Sequence, residues 1–316
     1  MADDTAAVAA LDCGTNSTRL LIVDAHGAVL DRQMRITRLG EAVDATHKLS
    51  ADAITRTIAV LEDYRRAMDR YGVVRARLVA TSAARDAVNV DEFFAAAEAA
   101  TGVRPELLSG FEEGQLSFIG ATASLPADSR GAVGVLVVDI GGGSTELAAG
   151  VPSGAGAATS PEVGAVSLDI GCVRLTERFF HHDPPLPHEL ADAQEVVDAE
   201  VERARTELPP MASGGILIGL AGTVSTLAAL DLGLPHYERA RIHHAVLTKD
   251  AVDGWLERLA TEDSRARRAR PGMVEGRADV IVGGVVVLAA VMNGFGYGEC
   301  LVSEDDILDG LVASLR

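Results

Sequence analysis

The chain is short of lysine, of cysteine, of long hydrophobic runs and of positive charge, and each shortage closes off a class of protein. Lys48 and Lys249 are the only lysines, so 26 of the 28 basic residues are arginine. Neither follows a glycine-rich loop, which excludes the P-loop arrangement in which a lysine reaches nucleotide phosphates. Cys13, Cys172 and Cys300 are an odd number, lie far apart and show no C-x-x-C spacing. That suggests neither a disulfide framework nor a zinc site, and it fits a reducing cytoplasm. The N-terminus, MADDTAAVAALDCG, has two acids where a signal peptide would be basic, which argues against secretion. The longest apolar run, Val280 to Met292, has 13 residues, short for a membrane span and suited to a buried helix. A net charge of −18 and a pI near 4.8 repel polyanions at long range. Nucleic acid and anionic membrane are therefore not expected partners, and any anionic ligand must be captured locally.

What the chain does have is length and a repeated motif. With 316 residues, 48% of them hydrophobic, it can bury a full core and divide into two domains. The stretch VVDIGGGSTELAAG, Val137 to Gly150, fences three glycines between a carboxylate, two hydroxyls and a second carboxylate. The apolar, β-branched run before it reads as a buried strand ending at Asp139. A second copy, LDCGTNSTRLLIVD, lies near the N-terminus. A constant offset of 127 superimposes Asp12 on Asp139, Gly14 on Gly141, Ser17 on Ser144, Thr18 on Thr145 and Leu20 on Leu147 without a gap. The shared D-x-G-x-x-S-T-x-L frame at the end of two apolar strands points to two related domains.

The remainder alternates strands and helices. Extended runs are expected near Thr18 to Asp24 and Ala28 to Arg35, then a helix capped by Ser50 and ending before Gly72. The strand RARLVAT, the helix VDEFFAAAEAATG, the short strand ELLS and the helix EEGQLSFIGATA complete the first half, and Ser124 to Ala132 reads as a linker. The second half repeats the scheme: strands around Val135, Glu146 and Val163, helices from Cys172 and His188, and the strand GILIGL running into the helix AGTVSTLAAL. Three further helical segments, a short strand at Cys300 to Ser303 and a final helix follow. The expected fold class is α/β, a βββαβα pattern repeated twice, with domains at 1–125 and 126–303 and a ligand cleft between them. The final segment, 304–316, is free to pack back on the first domain.

Backbone N–H groups in a tight glycine turn make a concave anion site, and glycine lets a phosphate approach the main chain. Loops at Gly14, Thr15, Asn16 and Ser17 and at Gly141, Gly142, Gly143, Ser144 and Thr145 would grip a phosphate chain from both sides of a cleft. Asp139 and Glu146 bracket the second loop with hard oxygens that suit Mg²⁺, with Mn²⁺ as an alternative. The plainer alternative is a pair of glycine hairpin turns with capping hydroxyls.

The stretches DCGTNSTRLLIVD, ATSAARDAVN, SGFEEGQLSFIGA, VVDIGGGSTEL and GLAGTVSTLAAL, in this order, resemble the exopolyphosphatase and guanosine pentaphosphate phosphohydrolase (Ppx/GppA) family. The resemblance spans nearly the whole chain and implies duplicated ribonuclease-H-like domains of the actin-like ATPase superfamily. It carries the catalytic base over to Glu113, the second glutamate of SG-x-EE; on a helix, Glu112 would point about 100° away. Asp139 and Glu146 carry over as metal or water ligands, and Asn16, Ser17, Arg85, Gly142, Gly143, Ser144 and Thr145 as phosphate contacts. Gly222 and Thr223 resemble the superfamily's third cleft loop. Asp12, equivalent to Asp139, would bind metal through water or stabilise its turn.

The implied activity is metal-dependent removal of terminal orthophosphate from inorganic polyphosphate in the cytoplasm. Long family members carry a helical extension this chain does not show, so short chains are the expected substrate. Hydrolysis of guanosine pentaphosphate is the second reading; an ATP-dependent kinase and a non-catalytic polyphosphate or alarmone sensor are the others. Family members are often dimers, so a homodimer is expected. The His181, His182, Asp183 group precedes Pro184, Pro185 and Pro187 and reads as a loop rather than a metal pair, and His243 and His244 read as ordinary histidines. Arg265, Arg267, Arg268 and Arg270 read as a solvated helix face, with attraction of distal phosphates as the alternative. The ending SEDDILDGL lacks the glycine and arginine of SDxGLREG-type endings, which leaves its role open.

Overall fold

β1 (Val8–Cys13), β2 (Ser17–Val23), β3 (Val29–Ile36), β4 (Arg75–Ala80) and β5 (Pro105–Leu107) form one sheet in the order β3-β2-β1-β4-β5. The computed structural model describes residues 6–125, 134–152, 163–210 and 215–316. A second sheet holds β6 (Val135–Ile140), β7 (Thr145–Gly150), β8 (Val163–Leu168), β9 (Ile216–Leu220), β10 (Val246–Thr248) and β11 (Glu299–Val302), ordered β10-β11-β9-β6-β7-β8. The expected linker falls outside the described residues from 126 onward.

The two sheets share one plan. β1 pairs antiparallel with β2 and parallel with β4; β6 pairs antiparallel with β7 and parallel with β9. The repeat holds at the level of single residue pairs: Asp12 faces Arg19 and Cys13 faces Thr18, as Asp139 faces Glu146 and Ile140 faces Thr145. Gly14 N–H donates to Ser17 O and Gly141 N–H to Ser144 O, both at 3.0 Å. The α/β class and the duplication are thus both present. The differences from expectation are short elements: β10 is a three-residue edge strand on β11, and β5 begins at Pro105. Three residues are too few for a period-two pattern to register.

Each half lends a helix to the other. Helix Gly110–Ala123, from the first half of the chain, lies against β6, β7 and β8, burying Phe118 and Ala121 with Val135, Val137 and Ala148. Helix Ile307–Leu315 returns to β1, β2 and β4, burying Ile307, Leu308, Leu311 and Val312 with Val8, Ala10, Leu21 and Val79. The two helices also cross one another at glycines. A Cβ on Gly120 would lie 1.9 Å from the Asp306 carbonyl oxygen, and one on Gly310 would lie 2.1 Å from that of Leu116. Main chain cannot swing aside as a flexible side chain does, so overpacking at either position costs about 1–3 kcal/mol or more. Gly120→Ala and Gly310→Ala are therefore each expected to lower the melting temperature by several degrees, and unchanged melting of both would contradict this packing.

The 13-residue apolar run is a buried helix, as expected: all of Ile281–Met292 is buried within helix Ile281–Phe295. Among the described residues no helix is long and apolar enough to cross a membrane.

Candidate active site

The two glycine turns meet edge to edge. A Cβ on Gly142 would sit 2.9 Å from Thr15 Cβ, and one on Gly143 would sit 2.5 Å from Ser82 Oγ. Only a residue without a side chain permits that approach of one half to the other. Beside this contact opens a cleft of about 490 Å³.

The orientation of the second glycine loop has a local cause. Helix Cys172–Phe179 presents its first N–H groups to the loop's carbonyls: Cys172 N–H to Gly141 O at 3.0 Å, and Val173 and Arg174 N–H to Gly142 O at 2.9 and 3.1 Å. Arg174 Nε takes the next carbonyl, Gly143 O, at 2.7 Å. In a planar trans peptide the C=O and the following N–H point in opposite directions. Holding three successive carbonyls on one side therefore turns the N–H groups of Gly142, Gly143 and Ser144 to the other, where Gly141 to Ser144 line the cleft. Among the described residues none of these three N–H groups meets a backbone acceptor. Successive N–H groups turned one way form a nest, the arrangement that suits an anion.

The two glutamates of SG-x-EE divide two roles between them. Glu112 closes a capping box, accepting from Ser109 N–H at 2.9 Å while its own N–H donates to Ser109 Oγ at 3.2 Å, and it stays exposed. Glu113, one residue on, is turned inward and only 9% exposed. Arg85 Nη1 donates to its Oε2 at 2.6 Å, and Nη2 of the same arginine donates to Ser144 Oγ at 3.3 Å. Burial pushes the Glu113 carboxyl up to about 7, with Arg85 pulling down and Asp139 and Asp12 pushing up.

Three more carboxylates lie close by, Asp139 and Asp12 lining the floor and Glu146 behind it. Asp139 Oδ2 accepts from Ser117 Oγ at 2.7 Å, and burial lifts its carboxyl to about 6 against the pull of Arg19. Glu146 is 1% exposed and accepts at one oxygen from Ser144 Oγ and Ser167 Oγ, both at 2.7 Å. Burial, then Glu113 and Asp139, hold it well above the usual carboxylate range. Asp12 is raised by burial against the pull of Arg19, whose Nη2 sits 2.6 Å from Oδ2, while its buried Oδ1 has no hydrogen-bond partner among the described residues.

Of the expected site residues, Asp12, Gly14, Thr15, Asn16, Ser17, Glu113, Asp139, Gly141, Gly142, Gly143, Ser144 and Gly222 line the cleft. Four do not. Arg85 and Glu146 stand behind Glu113 and Ser144, 3.6 Å from each other. Thr145 donates its hydroxyl to the Ile170 carbonyl and does not line the cleft; its backbone starts β7, between Ile140 and Leu168. Thr223 packs where a Cβ on Gly284 would collide with it at 2.2 Å. The arginine group at 265–270 is not a single solvated face: Arg267 is 3% exposed and donates to Ala278 O and Asp183, and Arg270 pairs with Glu262. His182 and Asp183 lie in a loop, bonded to Glu189 and to Ser264 N–H, and His243 Nδ1 accepts from Glu304 N–H at 3.1 Å.

Residues missed by sequence reasoning complete the walls. Arg19 bridges Asp12 and Asp306, each at 2.6 Å. It occupies the position equivalent to Glu146 in the repeat, so the same offset that aligned the glycines could have found it. Asp306 caps the final helix through Leu308 N–H at 2.9 Å, which gives the SEDD segment its role. Arg277 is 7% exposed with its Nε unpartnered, and a Cβ on Gly222 would meet its guanidinium at 2.1 Å. Arg277 lines the cleft, and a largely buried guanidinium there suits an anion.

A duplicated α/β fold with an amide nest, buried carboxylates and arginines around an interdomain cleft defines a protein built to handle phosphoryl groups. The Ppx/GppA phosphatase family profile matches residues 21–315, and the chain belongs to that family. Exopolyphosphatase 2 of Mycobacterium tuberculosis is 42% identical over 98% of both chains. Among solved structures, an exopolyphosphatase-like protein superposes with a TM-score of 0.86 at 34% identity over 98% of both chains. An Aquifex aeolicus Ppx/GppA family member superposes with a TM-score of 0.79 at 31% identity, covering 98% of this chain and 97% of that one. The fold is accordingly that of the family.

Proposed function

We propose that the protein is a cytoplasmic exopolyphosphatase that releases orthophosphate from the end of inorganic polyphosphate, short chains preferred. The observation that carries this reading is the pairing of an amide nest with one buried carboxylate, Glu113, whose raised pKa suits a base near neutral pH. The nest and Arg277 hold phosphate oxygens, and Arg85 supplies charge beside the nest. Glu113 orients a water molecule and accepts its proton as the water oxygen bonds to the terminal phosphorus. The P–O bond to the next phosphate breaks, and the shortened chain leaves with the bond's electron pair.

The acidic floor fits a divalent cation. Its carboxyls push one another's pKa upward, and Asp12 Oδ1 is buried without a partner among the described residues, so the cluster is short of positive charge. Among the described residues no three His, Cys, Asp or Glu side chains converge as a complete cation site. Substrate oxygens and water would therefore complete the shell, which is the habit of Mg²⁺. Asp12 and Asp139, which line the cleft, would hold Mg²⁺, or Mn²⁺ in its place, with Glu146 behind them acting through water, and the ion when bound would neutralise phosphate charge. The three cysteines are buried and free, which supports the cytoplasmic placement. A homodimer belongs to the same reading, and sedimentation tests it.

Guanosine pentaphosphate is the second substrate to test, because the cleft extends past the phosphate loops to Gln33, Met34 and Tyr237, room for more than a phosphate chain end. The experiment is orthophosphate release with Mg²⁺ from tripolyphosphate, long polyphosphate and guanosine pentaphosphate in parallel. Fastest release from tripolyphosphate is expected. Tight binding of all three without release from any would replace the enzyme with a sensor.

A further inference from the structure

The nest depends on a residue anchored in the opposite half of the molecule. Arg174, on the first turn of helix Cys172–Phe179, is mostly buried, its side chain 14% exposed. Its guanidinium makes three attachments: Nε to Gly143 O at 2.7 Å, Nη1 to Asp44 at 2.6 Å, and Nη2 to Asp86. The first belongs to the phosphate loop of the second half. The other two belong to the first half, Asp44 on the short turn after Gly40 and Asp86 at the end of the helix that carries Arg85. No other arginine or lysine is ion-paired with either carboxylate among the described residues.

We propose that Arg174 is a positioning residue that makes the phosphate nest conditional on contact between the two halves. Gly143 O can be held outward, and Ser144 N–H inward, only while the guanidinium lies flat between the loop and its two carboxylates. If the halves part, Asp44 and Asp86 leave with the first half. The fork then loses two of its three acceptors and nothing fixes its plane, because only a rigid planar donor can serve three acceptors in set directions. The same movement takes Asp86 and its neighbour Arg85 away from Ser144, so the nest and the arginine beside it are lost together. Helix Cys172–Phe179 carries a second tie on the same side, Glu177 accepting from Ala42 N–H at 3.2 Å. Anion affinity and closure are therefore reciprocally linked. The inference rests on the phosphate-handling reading of the cleft, but it concerns binding alone.

Calorimetric titration with tripolyphosphate after removal of divalent cations tests it, because affinity is then read without the turnover that needs the cation. Arg174→Ala and the double variant Asp44→Asn/Asp86→Asn are each expected to weaken binding about tenfold or more. The double variant leaves the bond to Gly143 chemically available, so its loss of affinity isolates the tie to the other half. Combining all three changes is expected to cost no more than Arg174→Ala alone, since they remove one unit. Arg174→Lys is expected to recover only part of the affinity. Wild-type affinity in the double variant would overturn the proposal, as would full additivity. Should Arg174→Ala fold poorly, the double variant, whose carboxylates are each 30% exposed, decides the matter alone. Wild-type protein that binds tripolyphosphate without hydrolysing it once Mg²⁺ is restored would sink the enzymatic reading and leave this test intact.

Discussion

Replacing Glu113 by Gln is expected to lower kcat for tripolyphosphate by about 10²- to 10⁴-fold, the range for removing a positioned general base. Tripolyphosphate affinity should hold or improve, because the change removes a negative charge from a buried acidic cleft and frees Arg85 from its 2.6 Å pairing. The pH dependence should change with it. A base works deprotonated, and burial holds Glu113 up to about 7, so wild-type kcat/KM should rise with pH through the neutral range. A bound cation nearby would move that limb to lower pH without reversing its direction. In Glu113→Gln the limb should vanish. Glu112→Ala is the matched control: it removes the capping box and costs about 0.5–2 kcal/mol of stability, yet the folded enzyme should turn over normally. Equal rate losses in the two variants would refute the assignment, and a pH limb that survives in Glu113→Gln would refute Glu113 as the base.

Why one glutamate of an adjacent pair was legible, and other residues were not, follows from what local sequence encodes. The S-x-x-E spacing from Ser109 to Glu112 is itself a capping signal, so the neighbouring carboxylate is left to face the floor. The duplication was legible because a turn and its flanking strands are local features, and the offset of 127 reappears pair by pair in the strand register. The side-chain directions of Thr145 and Thr223 were not legible. Thr145 is taken up by the Ile170 carbonyl and Thr223 by helix Ile281–Phe295, and both facts are long-range. The return of the final helix to the first half was an expectation, but the docking of helix Gly110–Ala123 on the second sheet was hidden. Nothing in EEGQLSFIGATA says which sheet will cover its apolar face; only Gly120 and Gly310, as bare helix positions, hint at close packing. No local motif sets Arg174 and Arg277 apart from the other arginines of the chain, and only the fold turns them inward.

Removing divalent cations is expected to abolish turnover and also to reverse the usual dependence of stability on pH. Most carboxylates are more acidic in a folded protein than in the unfolded chain, which makes neutral pH stabilising. Here the floor runs the other way: Asp139 rises from 3.8 to about 6 and Glu113 from 4.5 to about 7, burial being the largest cause for both. A group whose folded pKa is raised binds protons more tightly in the native state. Its stabilising share is complete below the unfolded value and is lost as pH climbs through the folded one. With a chelator present, the melting temperature should therefore fall between about pH 4 and pH 7, the window those two shifts define. Mg²⁺ binds only the ionised floor, so its stabilising increment should grow over the same interval and offset the fall. Asp139→Asn should blunt both effects, because it removes one buried charge and one ligand together, and it should leave little orthophosphate release. A melting temperature that rises with pH in chelator would show that the floor is not the destabilising cluster described. A Mg²⁺ increment unchanged by Asp139→Asn would place the cation elsewhere, and the acidic floor would then need another source of positive charge, with Arg19 and Arg85 the nearest to hand.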